Sequence, residues 1–249
     1  MARAALPGRL RWQLGRVLDT IDETQRARSL VLELPNWPGH RAGQHVDIRL
    51  TADDGYQAQR GYSIASAPED NEVILTIERL ENGEVSPYLT DVLEPGDELE
   101  LRGPIGGYFV WDASLSGPLL LISGGSGIVP LRAMLRHWVA ARLPVEVRVI
   151  HSARSLDEVI YRDELMRLAA YEEVDVRIAL TRAWPERWRG HRGRVDRDFL
   201  KDAAWPPQDQ PRIYVCGPTA FVEAVAAALV DNGQPPDTIK TERFGPTGG

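Results

Sequence analysis

The hydrophobic and polar positions of this chain follow two different patterns, which change near residue 115. Up to that point, apolar and polar residues alternate in short runs, which is typical of antiparallel strands. The runs are 12–18, 30–34, 45–50, 62–65, 73–77 and 99–101. Gly-containing turn signals separate them, and a short helix is expected near Ser86 to Val92. The pattern predicts a small antiparallel barrel or sandwich. Of the two, we predict a Greek-key β-barrel over residues 1–115.

After this point, continuous apolar runs alternate with helix-like segments. The apolar runs 119–122, 145–150, 174–180 and 213–215 predict buried strands. The segments 130–142, 163–170, 197–201 and 220–230 predict helices, and Phe221 is expected to pack the last of them. Because alternating strands and helices are typical of a parallel sheet covered on both faces, we predict a Rossmann-like α/β domain over residues 116–249.

Composition and charge narrow the range of functions. The chain has 249 residues, 36 acidic and 29 basic, and the net charge of -7 opposes binding to nucleic acid. Its single cysteine, Cys216, cannot form an internal disulfide or hold an iron–sulfur cluster, and no metal site is predicted. No apolar run is long enough to span a bilayer and no apolar signal core precedes the first charges, so we expect a cytoplasmic protein.

A glycine-rich turn follows the first strand of the second half and opens its first helix. It reads Gly-Gly-Ser-Gly-Ile-Val-Pro, in which the notable positions are Gly124, Gly125, Gly127 and Pro130. Backbone N–H groups at such a turn can bind a pyrophosphate, and a tight turn without a ligand is the alternative. A proline replaces the third glycine of the usual dinucleotide fingerprint, and the next strand ends without an acidic residue for a ribose. An ordinary Rossmann site is therefore disfavoured.

Two further motifs lie on either side of this turn. Arg60 to Ser66, in the predicted barrel, reads Arg-Gly-Tyr-Ser-Ile-Ala-Ser, and Tyr214 to Pro218, at a later strand, reads Tyr-Val-Cys-Gly-Pro. With the glycine turn between them, their order resembles the ferredoxin–NADP reductase family from about Leu10 to Phe244. The resemblance implies an FAD-binding barrel followed by a domain that binds a nicotinamide nucleotide.

The resemblance also implies which residues bind FAD. Arg60 would pair with the FAD pyrophosphate, a role that suits a guanidinium because it donates two hydrogen bonds to phosphate oxygens. Tyr62 would lie against the isoalloxazine ring, with a barrel-core tyrosine as the alternative, and the Ser63 hydroxyl would lie near flavin N5. The remaining FAD contacts implied by the motifs are Gly61, Ser66, Val85 and Ser86.

In this family the nicotinamide cofactor lies over the glycine turn, and the Cys-Gly-Pro strand end is close to where the nicotinamide meets the flavin. Cys216 would position the ring there, together with Gly217 and Pro218, and a buried structural cysteine is the alternative. Glu242 and Phe244 would reach the flavin from the last strand, although this chain continues past Phe244. The implied catalytic residues are Ser63, Cys216 and Glu242.

Discrimination between NADPH and NADH depends on one additional phosphate, which arginine binds well. Three arginines stand where NADPH-using members of the family carry such residues: Arg154, Arg182, which follows Thr181, and Arg194. No acidic residue ends the strand before Arg182 to repel a 2′-phosphate. We therefore predict NADPH in preference to NADH. The alternative is a solvated basic face, since further arginines crowd the segment: Arg187, Arg189, Arg192 and Arg197.

The predicted function is that of an FAD-dependent oxidoreductase that takes a hydride from NAD(P)H and passes electrons to a separate protein. The acceptor would be a ferredoxin, a flavodoxin or an oxygenase component, because the single cysteine excludes the [2Fe-2S] module that many multidomain relatives carry. Two alternatives stay open: a reductase that releases free reduced flavin, and a redox-sensing module without turnover. We expect a monomer.

Overall fold

In a computed structural model that describes residues 10–112 and 114–245, the two sequence patterns form two six-stranded sheets. The first sheet is antiparallel, and a short helix, α1 (Ser86–Asp91), lies between its last two strands. Its strands are β1 (Gln13–Thr24), β2 (Ala27–Glu33), β3 (His45–Thr51), β4 (Gln57–Ser63), β5 (Val73–Glu78) and β6 (Glu98–Ile105).

The first sheet closes into a barrel because its two outer strands meet. The strand order is β4-β3-β6-β1-β2-β5. Just beyond β4, Ile64 pairs with Leu75 of β5, and the Ala65 N–H donates to the Ile74 carbonyl at 2.7 Å. Alternate residues of β3 and β6 point inward and are buried, as a period of two requires. The predicted Greek-key barrel is confirmed.

The fourth strand begins earlier than predicted. The sequence places it at 62–65, whereas β4 extends from Gln57 to Ser63. The side chains of Gln57, Gln59 and Arg60 are exposed, and these polar residues hide the alternation on which the prediction depended. As a result, Arg60 to Ser63 of the first motif lies on a regular strand, and its side chains alternate between the two sides of that strand.

The second sheet is parallel, with the strand order β10-β9-β8-β7-β11-β12 and helices on both faces, which confirms the predicted Rossmann-like domain. Strand β10 has only two residues, too few to give a hydrophobic pattern, and the sequence did not predict it. The strands are β7 (Leu119–Gly124), β8 (Val147–Ala153), β9 (Val174–Leu180), β10 (His191–Arg192), β11 (Arg212–Pro218) and β12 (Ile239–Phe244). The helices are α2 (Ile128–Ala141), α3 (Arg162–Leu168), α4 (Arg197–Ala203) and α5 (Thr219–Asp231).

The carboxyl ends of the parallel strands face the barrel. Glu242, near the end of β12, accepts a hydrogen bond from Ser63 of β4, and Glu78, at the end of β5, reaches the turn that follows β7. Ligands of open parallel sheets bind beyond the carboxyl ends of the strands, so the functional site is expected between the two sheets. The boundary near residue 115 stays a prediction, and it lies in the connection between Ile105 and Leu119.

Within the described ranges, no helix is long and apolar enough to cross a bilayer.

Candidate functional site

Arg60 contacts the segment just before α1, which contains Val85, a predicted FAD contact. Its Nη2 atom lies 2.9 Å from Oε2 of Glu84, in the segment just before α1, and the Tyr56 hydroxyl donates to the other oxygen of the same carboxylate at 2.9 Å. The side chains of Arg60 and Glu84 are 55% and 51% exposed. An exposed guanidinium held by an exposed carboxylate can exchange that carboxylate for the diphosphate of a ligand.

Tyr62 lies two residues further along the same strand. It is half-buried and packs against the barrel core, and this burial raises the pKa of its phenol to about 12. The phenol therefore stays neutral, and the ring offers a flat apolar face beside the site. Gly61, between Arg60 and Tyr62, is exposed, so no side chain covers the strand at that position.

The three predicted catalytic residues come together across the two domains. The Ser63 hydroxyl, at the end of β4, donates to Oε1 of Glu242 at 3.4 Å. Glu242 of β12 pairs in register with Cys216 of β11, so both side chains lie on the same face of the parallel sheet. The barrel thus supplies one hydroxyl, and two neighbouring strands of the parallel sheet supply a carboxyl and a thiol.

Burial sets the protonation of this group. Desolvation raises the pKa of Glu242 to about 7, and the Ser63 hydrogen bond offsets only part of that effect. Burial also raises the pKa of the Cys216 thiol well above its ordinary value, and the neighbouring Glu242 carboxylate adds to the rise. A protonated thiol is a poor nucleophile, so this site suits Cys216 to packing and positioning.

The glycine turn packs directly against β11. A Cβ atom on Gly127 would lie 2.0 Å from the Cys216 carbonyl oxygen, which is closer than any side chain could be accommodated. Gly125 has a φ of +54°, in the left-handed region that favours glycine. Pro130 is buried in the first turn of α2. The turn therefore brings the start of α2 into contact with the Cys-Gly-Pro strand end.

An acidic side chain from the barrel, Glu78, faces this turn and was not predicted from the sequence. Glu78 accepts a hydrogen bond from the Ser126 N–H at 3.4 Å, and its carboxylate also lies beside Gly125. A pyrophosphate bound to these backbone N–H groups would have to replace the Glu78 carboxylate. An uncharged amide could instead donate a hydrogen bond to that carboxylate. No local sequence signal marks Glu78, because it reaches the turn from a different domain.

A cleft of about 200 Å³ lies between the domains beside the turn. Phe221 of α5 lines it, and a Cβ atom on Gly124 or on Gly217 would lie 3.0 Å from the Phe221 ring. Phe221 therefore lies over two glycines of the candidate site in addition to packing its helix. The other residues that line the cleft are Thr24, Arg26, Ala27, Glu78, Gly125, Ser152, Ala153, Arg154, Glu158, Ile160, Thr181 and Pro218.

The predicted phosphate-binding arginines stand at the ends of three neighbouring strands. The Arg154 carbonyl, after β8, accepts from the Arg182 N–H at 2.9 Å, and the Thr181 hydroxyl donates to the Ala153 carbonyl at 3.2 Å. Arg194 follows β10, whose partner strand is β9. The Arg154 guanidinium also lies 3.8 Å from the carboxylate of Glu158, a contact that was not predicted from the sequence.

Four predicted FAD contacts lie in the barrel or on the sheet with their side chains already engaged. The buried Ser66 hydroxyl accepts from the Ile74 N–H at 3.0 Å, and the buried Ser86 hydroxyl accepts from the Leu80 N–H at 3.1 Å. Both hydroxyls hold barrel loops in place. The remaining two residues are Val85, which is buried, and Phe244, which ends β12, pairs in register with Pro218 and packs against the core.

Among residues 10–112 and 114–245, no group of three His, Cys, Asp or Glu side chains could hold a metal ion.

Comparison with known proteins follows the same division of the chain. Residues 16–110 match the model of the oxidoreductase FAD-binding domain, and residues 121–227 match that of the oxidoreductase NAD-binding domain. The flavohem-like FAD/NAD-binding domain of nitric oxide dioxygenase from Vibrio cholerae has a similar crystal structure. Its TM-score is 0.83 at 25% identity, covering 94% of this chain and 98% of that one.

Two curated relatives extend the likeness to sequence. Ferredoxin–NADP reductase B of Sorangium cellulosum is 35% identical over 210 residues, which are 82% of this chain and 84% of the relative. The glycine betaine monooxygenase reductase subunit of Pseudomonas aeruginosa is 33% identical over 239 residues, 94% of this chain, and the match spans only 64% of that longer protein. With both domains matched in order, the chain belongs to the ferredoxin–NADP reductase-like family of flavin oxidoreductases.

Proposed function

We propose that this protein takes a hydride from NADPH onto bound FAD and passes the electrons to a separate acceptor protein. The observation that carries the proposal is the meeting of Ser63, Glu242 and Cys216 where the two domains face each other, beside the glycine turn. When bound, FAD supplies the chemistry, because it accepts two electrons together and releases them one at a time. The residues of the chain bind, orient and tune the charge around the reacting groups.

The chemistry of three barrel residues suits FAD. Arg60 binds the diphosphate in exchange for Glu84, and the half-buried Tyr62 ring orients the flavin against the barrel wall. Ser63 presents a hydroxyl at the domain interface, where it donates to Glu242. A hydroxyl can donate and accept, so the same group can turn to a flavin nitrogen without leaving the site.

Glu242 holds a proton that it can release near neutral pH, because its pKa is raised to about 7. A carboxyl group that titrates close to the working pH is suited to accept or supply a proton during electron transfer. Cys216 keeps its proton, since burial and Glu242 both raise its pKa, and it packs beside the position proposed for the nicotinamide. We assign Cys216 to positioning and Glu242 to proton exchange.

The choice of NADPH is supported by three arginines at the ends of adjacent strands, Arg154, Arg182 and Arg194. Charged hydrogen bonds of this kind discriminate strongly for an additional phosphate. Glu158 lies 3.8 Å from Arg154 and acts in the opposite direction, so Arg182 and Arg194 carry most of the proposed preference. NADH is the alternative nucleotide in this proposal.

The partner is proposed by class. The curated relatives include a ferredoxin–NADP reductase and the reductase subunit of a glycine betaine monooxygenase, and this chain spans 64% of the length of the latter. Their names support a ferredoxin or an oxygenase component as the acceptor, and a flavodoxin is proposed on the family resemblance alone. A monomeric state and a cytoplasmic location are proposed on the sequence alone.

The test is a visible spectrum of the purified protein before and after anaerobic addition of NADPH or NADH. The proposal predicts stoichiometric FAD that survives dialysis and loses its visible absorbance on mixing with nucleotide. FAD that is lost on dialysis but is reduced when added back would indicate a free-flavin reductase. Bound FAD that neither nucleotide reduces would indicate a redox-sensing module.

A further inference from the structure

A buried chain of hydroxyl groups crosses the interface between the two domains. The Tyr161 hydroxyl, just before α3 in the parallel-sheet domain, donates to Oγ1 of Thr76 on β5 of the barrel. Thr76 in turn lies 2.7 Å from the Ser29 hydroxyl on β2, and Ser29 donates to Oε1 of Glu23 on β1 at 2.6 Å. Tyr161, Thr76 and Ser29 are buried and Glu23 is half-buried. These hydrogen bonds link the parallel-sheet domain to three strands of the barrel.

The hydrogen bonds from Tyr161 to Glu23 all point in one direction, from donor to acceptor toward the carboxylate. Burial raises the pKa of Glu23, and the hydrogen bond from Ser29 acts against that rise by favouring the ionised form. With Glu23 ionised, its carboxylate accepts only, so Ser29 donates to Glu23, Thr76 donates to Ser29 and Tyr161 donates to Thr76. Burial raises the pKa of the Tyr161 phenol, so this first donor keeps its proton. Each of the three hydroxyls donates once and accepts no more than once, and hydrogen bonds arranged in this way strengthen one another in a low dielectric.

The backbone of Tyr161 is unusual for its residue type. Its φ is 60°, in the left-handed region that bulky residues rarely adopt. Such a conformation costs free energy, and it persists where the surrounding contacts demand it. Here it places the phenol inside the interface, so the strained residue is also the one that bridges the domains.

Arg132 of α2 contacts both Tyr161 and the barrel. Its guanidinium lies 4.5 Å above the Tyr161 ring, donates to Glu164 at 2.8 Å and donates to the Ala65 carbonyl of the barrel at 3.3 Å. The Arg132 side chain is only 11% exposed. Ala65 comes two residues after Ser63, and Arg132 lies one helical turn after the glycine turn. Arg132 therefore connects the end of the flavin motif, at Ala65, to the helix that begins at the glycine turn.

We propose that Tyr161 is a positioning residue that sets the separation of the flavin motif from the nucleotide turn through its hydrogen bond to Thr76. The inference rests on the proposed function, because hydride transfer falls steeply when two reacting groups are misplaced by as little as about 1 Å. Tyr161 lies outside the set of cleft-lining residues and acts on the reaction through the domain arrangement. Loss of its hydroxyl should slow the chemical step without weakening the binding of either cofactor.

The test uses the FAD-loaded protein and three variants at the bridge. In anaerobic stopped-flow reduction at saturating NADPH, Tyr161→Phe and Thr76→Val should each slow flavin reduction by about fivefold or more. Thr76→Ser keeps a hydroxyl and should stay within about twofold of wild type. FAD content and the NADPH concentration for half-maximal rate should change by less than about twofold in all three. Tyr171→Phe, at an exposed tyrosine just beyond α3, is the matched control and should behave as wild type.

A second measurement does not depend on flavin. Urea unfolding gives the free energy of unfolding of Tyr161→Phe, Thr76→Val and the double variant. The two substitutions should be strongly coupled, so that the double variant is no less stable than the less stable of the two single variants. Additive effects would show that the two hydroxyls do not interact and would overturn the proposal, as would wild-type reduction rates in both single variants. Slower reduction that only follows FAD loss would also overturn it. If neither nucleotide reduces the wild type, the proposed function fails and the positioning role fails with it, whereas the unfolding data still report on the bridge.

Discussion

The hydroxyl of Ser63, at the end of a barrel strand, donates to Oε1 of Glu242, on the outermost strand of the parallel sheet, at a distance of 3.4 Å. The two residues are 179 positions apart in the chain. Their contact joins the flavin motif of one domain to the strand that also pairs with Cys216 in the other. The proposed chemistry depends on this contact between the two domains.

Ser63→Ala should retain FAD and slow its reduction. The methyl group keeps the shape of the site but removes the hydroxyl that donates to Glu242. Loss of such a hydrogen bond, worth about 1.5 to 3 kcal/mol, corresponds to roughly tenfold to a hundredfold in rate. Stopped-flow reduction by NADPH measures the effect. Ser114→Ala, at an exposed serine of the linker, is the control. A wild-type rate in Ser63→Ala would remove this residue from the catalytic set.

Glu242 should make stability fall as the pH rises. Its pKa is about 7 in the folded protein against an ordinary value of 4.5, so between these values the native state holds a proton that the unfolded chain has lost. From pH 5 to pH 8, the wild type should lose about 1 to 3 kcal/mol of unfolding free energy relative to Glu242→Gln.

Urea unfolding at several pH values checks this. Glu172→Gln, at an exposed glutamate, should keep the wild-type pH dependence. The same slope in Glu242→Gln as in the wild type would show that the buried carboxyl does not titrate in this range.

Arg60→Ala should weaken FAD binding by roughly tenfold to a hundredfold, because it removes a charged hydrogen bond to the diphosphate. Glu84→Gln should have the opposite sign, since Glu84 competes with the diphosphate for the same guanidinium. Equilibrium dialysis of FAD measures both. Arg49→Ala, which breaks an ion pair with Glu100 on the barrel, is the control. Unchanged FAD affinity in a folded Arg60→Ala protein would contradict the assignment.

Arg182→Ala should reduce the preference for NADPH over NADH by about fivefold or more, and higher salt should shrink the preference in the wild type. The measurement is kcat/KM for both nucleotides with ferricyanide as the acceptor. Arg189→Ala, in the same arginine-rich segment, is the control and should leave the preference unchanged. If the wild type prefers NADH, or if Arg182→Ala weakens both nucleotides equally, the arginines form a solvated face.

The two domain folds could be predicted from the sequence because burial imposes patterns along single elements. All residues of β7 are buried, so a continuous apolar run marks it, whereas the exposed polar residues of β4 hide its beginning. The contacts of Glu78 with the glycine turn and of Tyr161 with Thr76 could not be predicted. Each joins single polar residues from different domains, and the packing of those domains leaves no local pattern in the chain.

The most direct test of the central claim is anaerobic stopped-flow reduction of the FAD-loaded protein by NADPH carrying deuterium at one or the other C4 position. The account predicts that the visible flavin absorbance is lost on mixing and that deuterium at only one of the two positions slows the loss. That result would show direct hydride transfer between two rings held in one fixed orientation. A flavin absorbance that neither NADPH nor NADH diminishes would contradict the account.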